Sequence, residues 1–285
     1  MITYIAEVGS NHCGSFDLAL AHIRVAKEAG ATGVKFQLFR AESLDSRPEV
    51  QEKLRPYELP LEWLPLLREE SHALGLQFGV PPFAIDLVKP LHGLVDFVKI
   101  SAYDLTYNAL IIEAATLGVP IVLSTAMATT SEVQRAWQTL YGRSAGKIIL
   151  LHGTAAYPAQ LADANLHALL WLKDREFPYG LSDHTTDPEA AMLAVGLGAT
   201  WIEKHFRINC PPQGFRHMAP EINEIRFFQN PDFEVSASPT EFARMISACK
   251  RASQALGTGE KNGPLPCEME LYTTIRRSNS KPLRG

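Results

Sequence analysis

Two pairs of polar residues in the second half of the chain carry the strongest chemical signal: Ser182 with His184 in GLSDHT, and Glu203 with His205 in ATWIEKHF. Residues two apart on a strand point to the same face, and each pair lies where an apolar run ends. A helical stretch, Asp187 to Gly198, separates the two runs, so the strands read as neighbours in a parallel βαβ unit. Two imidazoles side by side at one end of a sheet, with a carboxylate beside one of them, have the donor types of a divalent-metal site with open positions. A structural histidine satisfied in the core is the competing reading for either ring taken alone.

The elements that must position these groups alternate regularly. Strands are expected at Thr3–Val8, Gly33–Phe39, Leu76–Val80, Val95–Ile100, Pro120–Ser124, Lys147–Leu151, Tyr179–Ser182 and Thr200–Phe206. Amphipathic segments lie between them at Phe16–Ala29, Leu61–Leu74, Asn108–Leu117, Thr130–Tyr141 and Pro188–Gly198. Several of these end in a glycine just before the next strand, in AGATGVKF, LGLQFGV, LGVPIVL and LGATWIEK, as a left-handed helix cap requires. Eight strands with intervening helices point to a single-domain α/β fold, a (β/α)8 TIM barrel, with an open doubly wound sheet as the alternative. Residues 1–260 form the expected barrel domain and 261–285 a C-terminal tail. The stretch 207–238 is longer than an ordinary connection after a last strand, and is expected to cover the top face as a lid, or else to form a surface excursion or an oligomer contact. A helix over Pro239–Leu256 is expected to pack outside the barrel.

With that register, polar residues collect at one end of the strands. Glu7 ends the first run, Lys35 and Gln37 share a face of the second, and Lys99 ends the fourth. Ser124 ends the fifth and His152 follows the sixth. Barrel enzymes build their sites at this C-terminal face. A charge inside a buried run is costly unless it is paired or functional. For Lys35 and Lys99 the bland reading is a buried ion pair with Glu7 or Glu203. For His12 and His152, lining a site and capping local backbone remain equally open.

Composition excludes several classes. The 285 residues are 46% hydrophobic with a formal net charge of −4, which leaves no electrostatic footprint for nucleic acid. No apolar run approaches the roughly 20 residues that span a bilayer, and no secretory signal is visible at the N-terminus. The four cysteines show neither zinc nor CxxC spacing. A cytoplasmic enzyme is expected, with no nucleic-acid or membrane partner.

The segments IAEVGSNHCGS, EAGATGVKFQLF, DFVKISAYDLT, IVLSTAMAT, LHGTAAYP, GLSDHT and GATWIEKHF, in this order, resemble the N-acetylneuraminate (sialic acid) synthase family. PDFEVSASPTEF and RASQALGTGEK extend the resemblance over nearly the whole chain. It implies a barrel that condenses phosphoenolpyruvate with an aldose or aldose derivative, giving a 3-deoxy-2-ulosonic acid and phosphate. It further implies a divalent cofactor, Mn²⁺ most typically, with Mg²⁺ or Co²⁺ as alternatives, held by His184 and His205. By the same resemblance Glu7 positions or deprotonates the water that adds to C2, and Lys35 and Lys99 hold the anionic donor. Gln37, Ser124 and Ser182 support it, Tyr157 and Asp232 lie around the sugar with Asp232 near the metal, and Glu203 orients a ligand or a hydroxyl.

The chain departs from the family at three positions expected to contact phosphoenolpyruvate, where it carries Pro81, Ala102 and Ala155. Hydrogen bonds to charged groups are worth about 1.5–3 kcal/mol each, so three lost bonds would cost roughly 4–9 kcal/mol if nothing replaced them. Either other groups substitute (Ser101, Thr154, Arg207, Arg216 or His217), or the donor differs. The resemblance covers the catalytic barrel without the family's C-terminal antifreeze-like domain, so another group is expected to close the acceptor pocket, with Arg216 or Arg226 as candidates. A homodimer is an open expectation. The alternatives to the synthase are the same barrel acting on another enol or keto-acid donor, as an aldolase or lyase, and a sugar-binding homologue without turnover.

Overall fold

The structure, a computed structural model, describes residues 2–144, 146–209 and 230–276. Arg216, His217 and Arg226, the core of the expected lid, and the basic end of the tail lie outside the described residues. Eight parallel strands close into a barrel in chain order: β1 (Thr3–Glu7), β2 (Gly33–Lys35), β3 (Gln77–Val80), β4 (Phe97–Ile100), β5 (Ile121–Ser124), β6 (Ile148–Gly153), β7 (Tyr179–Asp183) and β8 (Trp201–His205). The closing pair sets Glu7 of β1 opposite His205 of β8, and the next pair sets Ser182 of β7 opposite Glu203. The closed (β/α)8 barrel read from the sequence is the observed architecture.

Strand alternation divides the barrel interior into two layers. Ile5, Phe97, Val122, Leu151 and Trp201 form an apolar floor, with the Phe97 and Trp201 rings edge-to-face at 5.1 Å between centroids. Two residues further along the same strands come Glu7, Lys99, Ser124 and Glu203, so the floor gives way to a polar layer within one step of the pleat.

The outward residues of the strands pack under a ring of helices. In chain order these are α1 (Phe16–Glu28), α2 (Ala41–Leu44), α3 (Pro48–Leu54), α4 (Trp63–Ala73), α5 (Asn108–Ala115), α6 (Thr130–Leu140), α7 (Ala168–Lys173), α8 (Glu189–Gly196), α9 (Pro239–Leu256) and α10 (Met269–Thr274). Helix α9 starts cleanly because Ser238 and Glu241 form a reciprocal capping box and Pro239 occupies the first turn. Its buried Phe242, Met245, Ile246 and Cys249 pack against α8 and α1, closing the outer ring. Gly30, Gly75, Gly118 and Gly198 all take positive φ at the helix ends where the sequence places them. No helix among the described residues is long and apolar enough to cross a membrane.

The differences from the sequence reading are local. Strand β2 stops at Lys35 instead of Phe39, because it meets Pro81 and Pro82 beyond β3, which bring no amide hydrogens to a ladder. The short helices α2, α3 and α7 were not anticipated. The expected excursion after β8 leaves and returns next to its strand: Ala237 N donates to His205 O at 2.8 Å and Arg207 N to Ala237 O at 3.0 Å.

Candidate active site

A cavity of about 380 Å³ opens at the C-terminal end of the barrel. Its polar side is lined by Lys35, Gln37, Lys99, Ser124, Ser182, Glu203, His184 and His205, and Pro81, Ala102, Met127 and Ala155 contribute to a less polar wall. Glu7, at the last position of β1, meets Lys35 of β2 in a buried ion pair. Lys99 Nζ donates to Glu203 Oε1 at 2.9 Å, and Lys35 Nζ lies 3.7 Å from the same oxygen. Ser182 Oγ also donates to that oxygen, at 3.3 Å. Both lysines are therefore ion-paired, as the structural reading expects, and both also line the cavity.

Burial, reinforced by Glu203 and Asp232, pushes the Glu7 carboxyl up to about 7 even with Lys35 beside it. Desolvation would also raise Glu203, but Lys35 and Lys99 outweigh it and hold that carboxyl down at about 2. Burial acts against the charge of Lys35 as well, and there Glu203 and Glu7 prevail and raise its pKa. Lys99, with Lys35 as a like-charged neighbour, is lowered by burial. The two carboxyls are thus driven apart, one toward the neutral acid and one locked as the anion.

The imidazoles stand side by side, with ring centroids 5.7 Å apart. Residue 184 is the first beyond β7, and its Nδ1 sits 2.7 Å from Thr154 O. A carbonyl only accepts, so Nδ1 carries the proton and Nε2 is left with its lone pair. Burial lowers His184 to about 4 and also lowers His205, so both rings favour the neutral form that a metal would need. Buried His205 Nδ1 has no hydrogen-bond partner among the described residues and lies 3.7 Å from Asp232 Oδ1. Tyr157 leans over the pair, its ring centroid 4.5 Å from that of His184 and 6.0 Å from that of His205. Among the described residues no three His, Cys, Asp or Glu side chains already stand together as a metal cage. The arrangement is two neutral imidazoles with a carboxylate beside one, a donor set suited to a divalent transition metal that keeps open positions.

Asp232 is held by residues the sequence reading did not single out. Its Oδ2 accepts from Ser10 N at 2.7 Å and Ser10 Oγ at 2.8 Å, and its own amide donates to Asn230 Oδ1 at 3.1 Å. Gly9, at φ 52°, makes this approach feasible, because a Cβ there would collide with the carboxylate. Asn11 ties the same turn to the far strand, donating to Phe206 O at 3.1 Å and Ser236 Oγ at 2.8 Å. The signal available was the GSN run just beyond the first strand.

All eleven candidate residues lie at this end of the barrel: nine line the cavity or cap it, and Glu7 and Asp232 join it through Lys35 and His205. His12 and His152 do not line it. His12 Nδ1 accepts from Gly14 N at 3.0 Å with its ring against Phe36 and Trp63, and His152 Nε2 is 2.8 Å from Ala164 O. Pro81, Ala102 and Ala155 all face the cavity, and so does Ser101, but the hydroxyls of Ser101 and Thr154 already donate to protein acceptors. Ser101 Oγ donates to Asp104 Oδ2 at 2.9 Å and Thr154 Oγ1 to Asp163 O at 2.8 Å. Arg207 stacks over the Phe233 ring at 4.4 Å.

Comparison with known proteins adds a further observation. Residues 22–261 match the family described as the NeuB family. N,N'-diacetyllegionaminic acid synthase of Legionella pneumophila is 34% identical over 297 residues, covering 96% of this chain and 78% of the relative. Pseudaminic acid synthase of Campylobacter jejuni is 29% identical, covering 90% and 75% respectively. The crystal structure of N-acetylneuraminic acid (sialic acid) synthetase from Leptospira borgpetersenii, in complex with citrate, superposes with a TM-score of 0.83 at 32% identity, covering 97% of this chain and 93% of that one.

Proposed function

The chain belongs to the NeuB family, and from that premise we propose that it condenses phosphoenolpyruvate with an aldose or aldose derivative to give a sialic-acid-like 3-deoxy-2-ulosonic acid and phosphate. The observation that carries this reading is a barrel-mouth cavity lined by two lysines, Glu203 and two imidazoles, with Glu7, a carboxyl of the opposite ionisation tendency, joined to it through Lys35. The named synthases among its relatives support it.

Lys35 and Lys99 attract and orient the anionic donor at the bottom of the cavity, with Gln37 and Ser124 beside them. Glu203 holds the two ammonium groups in place, so their positions are set before the donor arrives. Tyr157 covers the acceptor and shields the reacting centre from bulk water. When bound by His184 and His205, with Asp232 beside them, a divalent cation such as Mn²⁺ would supply Lewis-acid polarisation of the acceptor aldehyde. The donor's enol carbon bonds to the aldehyde carbon as the aldehyde C=O π bond opens and its oxygen takes a proton to become a hydroxyl. Water adds at the donor's C2, and phosphate departs from that carbon to leave the 2-keto group. Glu7 takes the proton of the adding water, a role that a carboxyl with a pKa of about 7 fills well near neutral pH.

A second reading keeps the barrel and the metal but changes the donor to another enol or a keto acid. It is favoured by Pro81, Ala102 and Ala155 on the cavity wall, with Ser101 and Thr154 already engaged. The test is to incubate the protein with Mn²⁺, phosphoenolpyruvate and a panel of aldoses and follow phosphate. Release that requires both aldose and metal is expected. Cleavage of a 3-deoxy-2-keto acid to pyruvate without phosphate release would replace the synthase by a lyase.

A further inference from the structure

On the helix side of β7 and β8, directly behind the two imidazoles, lies an ion pair that no substrate reaches. Asp183 and Lys204 are partners in the strand register, and they are 2% and 3% exposed. Alternation turns them away from the cavity that Ser182, Glu203 and His205 face, into the layer under α8 and α9. Their outward neighbours one pleat earlier, Leu181 and Ile202, are ordinary buried aliphatics. A salt bridge at such a site brings little net stability, because desolving two charges offsets their attraction, and an apolar pair often does as well. Its presence calls for a reason other than core formation.

The hydrogen bonds supply one. Lys204 Nζ donates to Asp183 Oδ2 at 2.8 Å and also to Thr185 O. Asp183 Oδ1 accepts from Thr185 N at 3.0 Å and Thr185 Oγ1 at 2.8 Å. Together these bonds fasten the backbone of residues 183–185 to β8, and the residue at the centre of that turn is His184. Lys204 itself immediately precedes His205. The clamp therefore joins the two stretches of backbone that carry the imidazoles, from the face opposite the one where the imidazoles meet.

We infer that Asp183 and Lys204 are positioning residues that fix the 183–185 turn, so that His184 keeps its Nδ1–H on Thr154 O and its ring beside that of His205. Their consequence for metal affinity rests on the proposed ligand role of the two histidines; their consequence for ring orientation does not. Asp183→Leu with Lys204→Met replaces the pair by aliphatic groups of similar size and leaves no orphaned charge. Thr185→Val, which removes one hydroxyl, is the milder companion should the double variant not fold.

Both are tested on the purified full chain, first without metal, by nitrogen-15 NMR of the histidine side chains and by thermal unfolding. The expected result is a folded variant in which the His184 ring loses its single Nδ1-protonated tautomer while the remote, buried His22 keeps its own signals. Titration with Mn²⁺, read by electron paramagnetic resonance of the free ion, then shows affinity lowered about 10- to 100-fold. Unchanged His184 signals in a folded double variant would overturn the inference, whatever the metal does. If His184→Ala binds Mn²⁺ as the unaltered chain does, the ligand reading fails by itself, and the tautomer measurement still decides the clamp.

Discussion

The inner and outer faces of the β7–β8 pair both bury charge, but they satisfy it differently. Outside, both oxygens of Asp183 and the ammonium of Lys204 are accounted for by short hydrogen bonds. Inside, two lysines share one oxygen of Glu203, while Glu203 Oε2 and Glu7 Oε1 have no hydrogen-bond partner among the described residues. Leaving a buried polar atom unpaired costs about 1–3 kcal/mol, more for a charge, so folding alone would not maintain the inner arrangement. The outer cluster is finished as structure; among the described residues the inner one is not. The ionisation behaviour follows the same division, with Glu7 raised and Glu203 lowered within one cluster.

The largest expected effect comes from the group least satisfied by the fold. Glu7→Gln keeps the shape but removes the base, and kcat for phosphate release should fall about 10²- to 10⁴-fold. Thermal stability should hold or rise, since a buried carboxyl under repulsion from Glu203 and Asp232 is gone. A variant retaining more than a tenth of the activity would remove Glu7 from proton transfer.

The same carboxyl sets opposite pH trends for stability and rate. Its folded pKa is raised to about 7 above an unfolded value of roughly 4.3, so the stability it contributes is present at low pH and lost as pH climbs through 7. Glu203, lowered to about 2, contributes above its unfolded value and loses that contribution as pH falls toward 2. The melting stability of the metal-free protein should therefore decline from about pH 4.3 up to about 7 and level off above it, while kcat rises as pH climbs through 7. Both trends should flatten in Glu7→Gln; a melting curve that keeps its slope in that variant assigns the titration to another group.

Removing one partner from each cluster sharpens the contrast. Lys204→Met leaves Asp183 buried without its cation, and losing one member of a sealed pair costs roughly 3–5 kcal/mol. Lys99→Met should cost clearly less, because Glu203 keeps Lys35 at 3.7 Å and faces a cavity open to solvent. Denaturant unfolding of the two variants compares them directly. Equal losses would erase the distinction between a completed cluster and an open one.

The barrel was legible because its signals are local and repeated: eight apolar runs, helices between them, and glycines at their ends. The inner polar layer was legible for a related reason. A Glu, Lys or His at the end of a buried run stands out against its neighbours, and period-two alternation fixes which face it shares. The Ser10–Asp232 contact was not legible, since it joins residues 222 apart in the chain, and only closure of the ring brings β1 beside β8. The sequence shows Asp183 and Lys204 as polar residues in apolar runs, but not that they pair, because pairing depends on strand register. Helices α2, α3 and α7 are too short to impose a readable period.

The smallest effect concerns the wall facing these charges, and it separates the two candidate donors. Ala155 lines the cavity beside Tyr157 and His184, and neither Ser101 nor Thr154 has a hydroxyl to spare there. Ala155→Ser adds one donor without altering either charge cluster. If phosphoenolpyruvate is the natural donor, a new bond to an anionic group, worth about 1.5–3 kcal/mol when well placed, should lower its KM about tenfold or more with kcat little changed. The aldose KM, governed by the Tyr157 and Asp232 side, should not move. If KM for phosphoenolpyruvate stays the same or rises while a keto acid is processed equally well by both proteins, the wall is shaped for a donor without a phosphate at that position. The inner cluster would then serve a less highly charged enol than the lysines alone suggest.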